Sequence, residues 1–151
     1  MKKIFLLLTV IFVFTFWGCH TVFYETEAFN LSWNSKHIVT FTTETIDTGT
    51  YQEILIFRYG EGYPFSKLKI LLKTTGSKKI YTNTDFIINI TDEEGNYIGD
   101  GMGEIWDVEQ PLDTLTIKMP TTLKFQISQK VIDGNLPMVM EVGIKLKYLH
   151  K

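Results

Sequence analysis

The chain's pattern predicts an all-β fold, a single antiparallel β-sandwich of jelly-roll or immunoglobulin-like type, on three observations. Apolar residues recur with a period of two, and no stretch after the first twenty residues shows a persuasive helical period. The apolar runs are short and rich in Thr, Ile, Phe and Tyr, which suit a pleated, half-buried surface. Clusters of Gly, Asn, Asp and Ser separate them at intervals of about ten to fifteen residues, the rhythm of a sandwich of eight or nine strands.

Taken in order, Phe29, Leu31 and Trp33 alternate with Asn30 and Ser32. After a turn at Asn34-Ser35, Val39 and Phe41 alternate with Thr40 and Thr42. Tyr51 to Tyr59 is apolar on both parities, with Tyr51, Leu55, Phe57 and Tyr59 on one and Ile54 and Ile56 on the other, which predicts a central strand covered on both sides. Gly60, Gly62 and Pro64 end it. Leu68, Ile70 and Leu72 then alternate with Lys67, Lys69 and Lys73, and Gly76 to Lys79 reads as a turn. Phe86, Ile88 and Ile90 make the next buried face, closed by Asp92 to Gly95. Ile105 to Val108 fits a strand or a helical turn equally. Leu115, Ile117 and Met119 alternate up to Pro120, and Leu123, Phe125 and Ile127 follow. The last strand has Met140, Val142, Ile144, Leu146 and Tyr148 facing one way, with Glu141, Lys145 and Lys147 facing the other. Residues 29–151 thus form one domain, free of repeats, low-complexity tracts and linkers.

Ahead of this domain stand Lys2 and Lys3, an apolar run from Ile4 to Trp17, then Gly18 and the chain's single cysteine, Cys19. A positive start, an apolar stretch and a small residue at the cut are the parts of an export signal. The run is about fifteen residues long, short of the roughly twenty that span a bilayer. Gly18-Cys19 matches the end of a lipobox, although Phe16 and Trp17 stand where Leu and a small residue are usual. Residues 1–18 are accordingly read as a lipoprotein signal peptide and Cys19 as the lipidated residue. The other readings of Cys19 are a free thiol, half of an intermolecular disulfide, or part of an uncleaved anchor helix. The absence of a second cysteine favours lipidation and means that the mature fold holds without an internal disulfide.

Cleavage leaves 133 residues, enough for one domain with a sizeable core. Lys2 and Lys3 depart, so 13 of the 15 basic residues face 17 acidic ones and the net charge is about −4. A mildly acidic chain has no general attraction for nucleic acid. His20 to Ala28 is expected to be a short tether, reaching at most about 30 Å when extended.

The chemistry available to a catalyst is thin, and the chain is read as a non-enzyme with no catalytic residue, metal or cofactor. His20, His37 and His150 lack the spacing of a zinc site. No Gly-x-Ser-x-Gly elbow occurs. Asp92, Glu94 and Asn96 present oxygens at alternate positions, but Tyr97 and Gly103 stand where a calcium loop wants Gly and Glu, so a solvated hairpin turn explains the same letters. Gly99, Gly101 and Gly103 precede no amphipathic helix and are no dinucleotide loop. Arg58 and the aromatics Tyr59, Tyr63 and Phe65 could plug the end of the core or, through Arg58, Tyr63 and Phe65, bind a partner. Trp33, Tyr97 and Trp106, if exposed together, would instead make a platform for a glycan or small ligand.

One set of features resembles a known family. Gly18-Cys19, Asp47 ahead of the strand from Tyr51, Arg58 with Tyr63-Pro64-Phe65-x-x-Leu68, and Asp92-x-x-Gly95-x-x-x-Gly99-x-Gly101 resemble the gliding-motility lipoprotein GldH family of Bacteroidota. Phe125-x-Ile127, Leu136 and the Val142-Gly143 strand fit the same scheme. Lys130-Val131 replaces a common Met-Arg pair and Lys67 a common Asn, which marks a divergent member. The resemblance implies an accessory, non-enzymatic envelope lipoprotein of gliding and secretion-associated machinery, with no catalytic residues to carry over. The residues after Cys19, His20-Thr21-Val22-Phe23, lack an acidic surface-export cluster. The expected location is therefore a periplasm-facing anchor, the outer membrane being favoured over the inner, with other envelope proteins as partners.

Overall fold

The computed structural model describes residues 20–151, and every regular element within them is a strand. In chain order these are β1 (Thr21–Ala28), β2 (Ser32–Asn34), β3 (Val39–Ile46), β4 (Gly49–Gly60), β5 (Lys67–Thr75), β6 (Ile80–Asn89), β7 (Asp100–Met102), β8 (Ile105–Ile117), β9 (Thr121–Gln129), β10 (Asn135–Pro137) and β11 (Val139–His150). A five-stranded sheet runs β1-β11-β4-β8-β7 and a four-stranded sheet β3-β9-β5-β6, both wholly antiparallel. β2 and β10 pair as a two-stranded appendage. The core lies between the two large sheets. Leu55, Phe57, Val142, Ile144 and Leu146 come from one side and Leu68, Ile70, Leu72, Phe125 and Ile127 from the other, all with no exposed surface. Burying each such side chain is worth about 2 kcal/mol.

The alternating pattern reads through to these faces, and the sandwich expected from it is present. β4 is the middle strand of its sheet, and Ile54 and Ile56 are 7% exposed on its outer face, as a run apolar on both parities requires. Ile105 to Val108 belongs to the long strand β8.

Three local readings are corrected. Thr21–Ala28, expected as a tether, is the edge strand β1, laddered to β11 from Thr21↔Lys147 to Ala28↔Glu141. Its alternation is weak because only some of its side chains reach the core, Phe23 stacking on Phe125 of the opposite sheet at 5.7 Å. Leu31, expected to point inward between Phe29 and Trp33, is exposed. It sits at φ 55 and interrupts the strand, so that only Trp33 remains inside. Met119, expected on the inner face beside Ile117, is 71% exposed because β8 ends two residues earlier and the chain turns.

The tight points explain particular residues. A Cβ on Gly143 would collide with Thr26 Cγ2 and the Glu25 carbonyl, so only glycine lets β1 lie close against β11. Leu31 and Met138 (φ 61) are both left-handed, and the Met138 N–H donates to the Leu31 carbonyl at 2.9 Å. Such backbones cost roughly 1 kcal/mol or more each in a non-glycine residue. The β4–β8 register slips between Gln52 and Ile54, next to Pro111, which has no N–H to give the ladder.

Candidate functional site

The outer face of the five-stranded sheet carries a grouping of charge around Arg58. Period two turns Arg58 outward while Phe57 and Tyr59 turn in, and the register sets Asp107 of β8 and Glu141 of β11 on either side of it. The guanidinium meets Asp107 at two points, Nε to Oδ1 at 2.7 Å and Nη2 to Oδ2 at 3.1 Å, and Glu141 Oε2 with Nη1 at 2.9 Å. The planar fork fits a carboxylate in this manner and fixes the side chain's orientation. Nearby, Lys145 Nζ donates to Glu109 Oε2 at 2.7 Å. Tyr24, Ile56, Arg58, Asp107, Glu109 and Glu141 border a depression of about 550 Å³. Arg58 keeps 42% of its side chain exposed, so the grouping is held in place yet open to a partner.

On the inner face of the same strand the aromatic end of the core is assembled. Tyr59 is wholly buried and stacks on Phe57 at 5.5 Å; Tyr63 and Tyr97 meet it at 5.5 and 5.6 Å, and Trp106 follows at 5.6 Å from Tyr97. Its hydroxyl lies 2.8 Å from the Ile98 carbonyl and 3.2 Å from that of Ile90, sharing its proton between them. The Gly62 N–H donates to the Tyr97 hydroxyl at 2.8 Å. Tyr63 is 4% exposed, its hydroxyl has no hydrogen-bond partner among the described residues, and burial pushes its phenol well above the usual range. Phe65 is half-buried, 6.0 Å from Tyr63. Arg58 therefore stands on one face of β4, while Tyr63 and Phe65 close the core on the other.

The ligand platform is corrected by the same geometry. Trp33 has no exposed surface, packs on Phe29 at 5.8 Å and donates Nε1–H to the His37 carbonyl at 3.0 Å. Tyr97 and Trp106 are half-buried against the core. The three rings cannot present one open surface.

Sequence reasoning passed over Glu53, the buried charged residue of the core. It falls on the inward parity of β4 between Tyr51 and Leu55, and that position was the signal available to find it. Glu53 has no exposed surface and accepts hydrogen bonds from the hydroxyls of Thr74 on β5 and Thr82 on β6, the latter at 2.8 Å, so it ties the two sheets together. Burial pushes its carboxyl up to about 7, against the lowering effect of the two threonines and with a further push from Asp113.

The acidic turn uses its oxygens internally. Asp92 Oδ1 accepts the N–H groups of Glu94 and Asn96 at 2.9 Å, and Oδ2 accepts Asn96 Nδ2 at 3.0 Å. These bonds, those of Asn96 foremost, hold the Asp92 carboxyl below the usual range and shape a turn. Among the described residues no group of three or more His, Cys, Asp or Glu could hold a metal ion.

Residues 1–18 and the lipidation candidate Cys19 lie outside the described residues. A family model described as GldH lipoprotein matches residues 21–146 of the chain. No curated protein matches it.

Proposed function

The chain belongs to the GldH lipoprotein family, and from that membership we propose that it is a non-enzymatic, lipid-anchored envelope protein that docks other envelope proteins as an accessory of gliding or secretion-associated machinery. Cys19 carries the anchor, and the domain faces the periplasm, in the outer membrane in preference to the inner. The family match supports this reading above all, because it runs from the start of β1 into β11 and so covers nearly all of the sandwich. Arg58 is the contact residue on the open outer face. Tyr63 and Phe65 contribute from behind, by fixing the turn after β4 on which that face ends.

Two experiments test the two halves of the proposal. Changing Cys19→Ser is expected to lower the membrane-bound fraction by roughly tenfold or more on cell fractionation, because two acyl chains supply the hold at about 0.8 kcal/mol per buried methylene. A variant that stays bound as firmly would place the hold in the Ile4 to Trp17 segment instead. For docking, p-benzoylphenylalanine in place of Tyr24, on the border of the Arg58 depression, is expected to crosslink a discrete envelope protein in cells. Adding Arg58→Ala should weaken that crosslink roughly tenfold, as for an arginine central to an interface. Its half-exposed ion pairs are worth less than about 1 kcal/mol of stability, so the variant should remain folded. Unchanged crosslinking in a folded Arg58→Ala protein would remove Arg58 from the contact.

A further inference from the structure

The two ends of the sandwich differ sharply in charge. His20 enters at one end, where its carbonyl accepts the Tyr148 N–H at 2.9 Å. The same ladders bring the β5–β6 and β8–β9 turns to that end. Gly49 pairs with Ile117, Ile46 with Thr121, and the Ser77 N–H donates to Thr121 Oγ1 at 3.2 Å. These turns carry Lys78, Lys79 and Lys118, and neither 77–82 nor 114–124 contains an acidic residue. Asp47 is the acidic residue of the adjoining β3–β4 turn. At the opposite end the turns bear Glu61, Asp92, Glu93, Glu94, Glu104 and Asp133 against Lys36 and Lys130. In a chain of net negative charge, the basic end runs against the average.

That basic end is also apolar at its tips. Met119 is 71% and Ile80 55% exposed. Met119, Tyr81, Lys79 and Lys118 line a depression of about 360 Å³, Ile80 stands between Lys79 and Tyr81 in the chain, and the Lys79 ammonium sits 4.8 Å from the Tyr81 ring centroid. Lys78, Lys79 and Lys118 take part in none of the ion pairs among the described residues. Flexible lysine stems beside exposed apolar tips suit one surface chemistry in particular. The tips enter an acyl boundary while the ammonium groups extend back to headgroup phosphates.

We propose that the end formed by the β5–β6 and β8–β9 turns rests on a bilayer carrying anionic headgroups, with Met119 and Ile80 in the acyl boundary and Lys78, Lys79 and Lys118 on the phosphates. Charge complementarity selects the anionic surface. Position selects a bilayer, since the described chain enters the sandwich at this end through His20, the residue that follows the proposed anchor in sequence. The second argument rests on the anchoring reading of Cys19. The consequence is a fixed posture: the basic end faces the membrane and the acidic end faces away.

The test uses the full chain, purified from membranes and reconstituted into vesicles of phosphatidylcholine with or without phosphatidylglycerol. A nitroxide is attached at Met119→Cys or, at the far end, at Met102→Cys, with the native chain as the control for labelling at Cys19. In phosphatidylglycerol vesicles the ratio of oxygen to nickel-complex collisions is expected to rise severalfold at position 119 and to stay at its aqueous value at 102. Reversing Lys78, Lys79 and Lys118 to Glu, or adding salt, should return position 119 to the aqueous value, since the attraction is screened. A chain that sediments with both vesicle types while position 119 remains aqueous overturns this proposal and leaves the anchor standing. Sedimentation only with phosphatidylglycerol vesicles, with 119 in lipid, sustains the proposal and removes the anchor. Failure to sediment with either overturns both.

Discussion

At about pH 8.5 the Glu53→Gln variant is expected to resist urea better than the native chain by about 3 kcal/mol, and at about pH 4 the difference should vanish. Burial raises the Glu53 carboxyl from 4.5 to about 7, so the folded chain binds this proton more tightly than the unfolded one does. The stabilising contribution is full below 4.5, declines as the pH rises towards 7, and is lost above that. Each unit of separation is worth about 1.4 kcal/mol, which sets the size of the effect. Glutamine stays neutral throughout and can accept from one threonine hydroxyl while donating to the other, so it keeps both cross-sheet bonds. Urea titrations of the two proteins across this range read the difference directly. Identical pH slopes would show that Glu53 reaches solvent when ionised.

Replacing Tyr59 by alanine is expected to cost about 4 kcal/mol, the upper range for deleting a buried aromatic. The ring touches Phe57, Tyr63 and Tyr97, so its removal leaves a cavity shared by β4 and the loops that follow β4 and β6. Tyr59→Phe keeps that packing and loses only the hydroxyl shared by the Ile90 and Ile98 carbonyls, a loss of roughly 1 kcal/mol. The pair separates packing from pinning. Urea midpoints should fall in the order native, Phe, Ala, and amide exchange near Ile98 should quicken already in the Phe variant. Equal losses for both substitutions would assign the whole effect to the hydrogen bond.

Much of this architecture was legible in the letters because period two survives wherever one face of a strand is buried. Leu68, Ile70 and Leu72, or Val142, Ile144 and Leu146, leave little choice of face. The pattern failed where burial is partial or the backbone departs from the strand. β1 is an edge strand whose side chains are only half covered, so its alternation is blurred. Leu31 looked inward by count, yet a left-handed residue breaks the count, and nothing about leucine announces that conformation. The grouping around Arg58 depends on register between β4, β8 and β11, strands distant in sequence, and no local pattern encodes it. Tyr63 and Phe65 could be read as plug or contact from the sequence, and burial supports the plug for Tyr63. Glu53 was visible as a letter on the inward parity, but its two threonine partners come from the other sheet.

The ladder between β1 and β11 has a mechanical consequence. The first paired residue, Thr21, is two positions beyond Cys19, so a pull between an anchor at Cys19 and a partner holding the acidic end runs along the strands. Antiparallel hydrogen bonds lie across that direction. The load is then shared by the whole β1–β11 ladder in shear instead of opening it one bond at a time. A domain built in this way yields late under tension along its length and early when β1 is peeled from the Ala28 end.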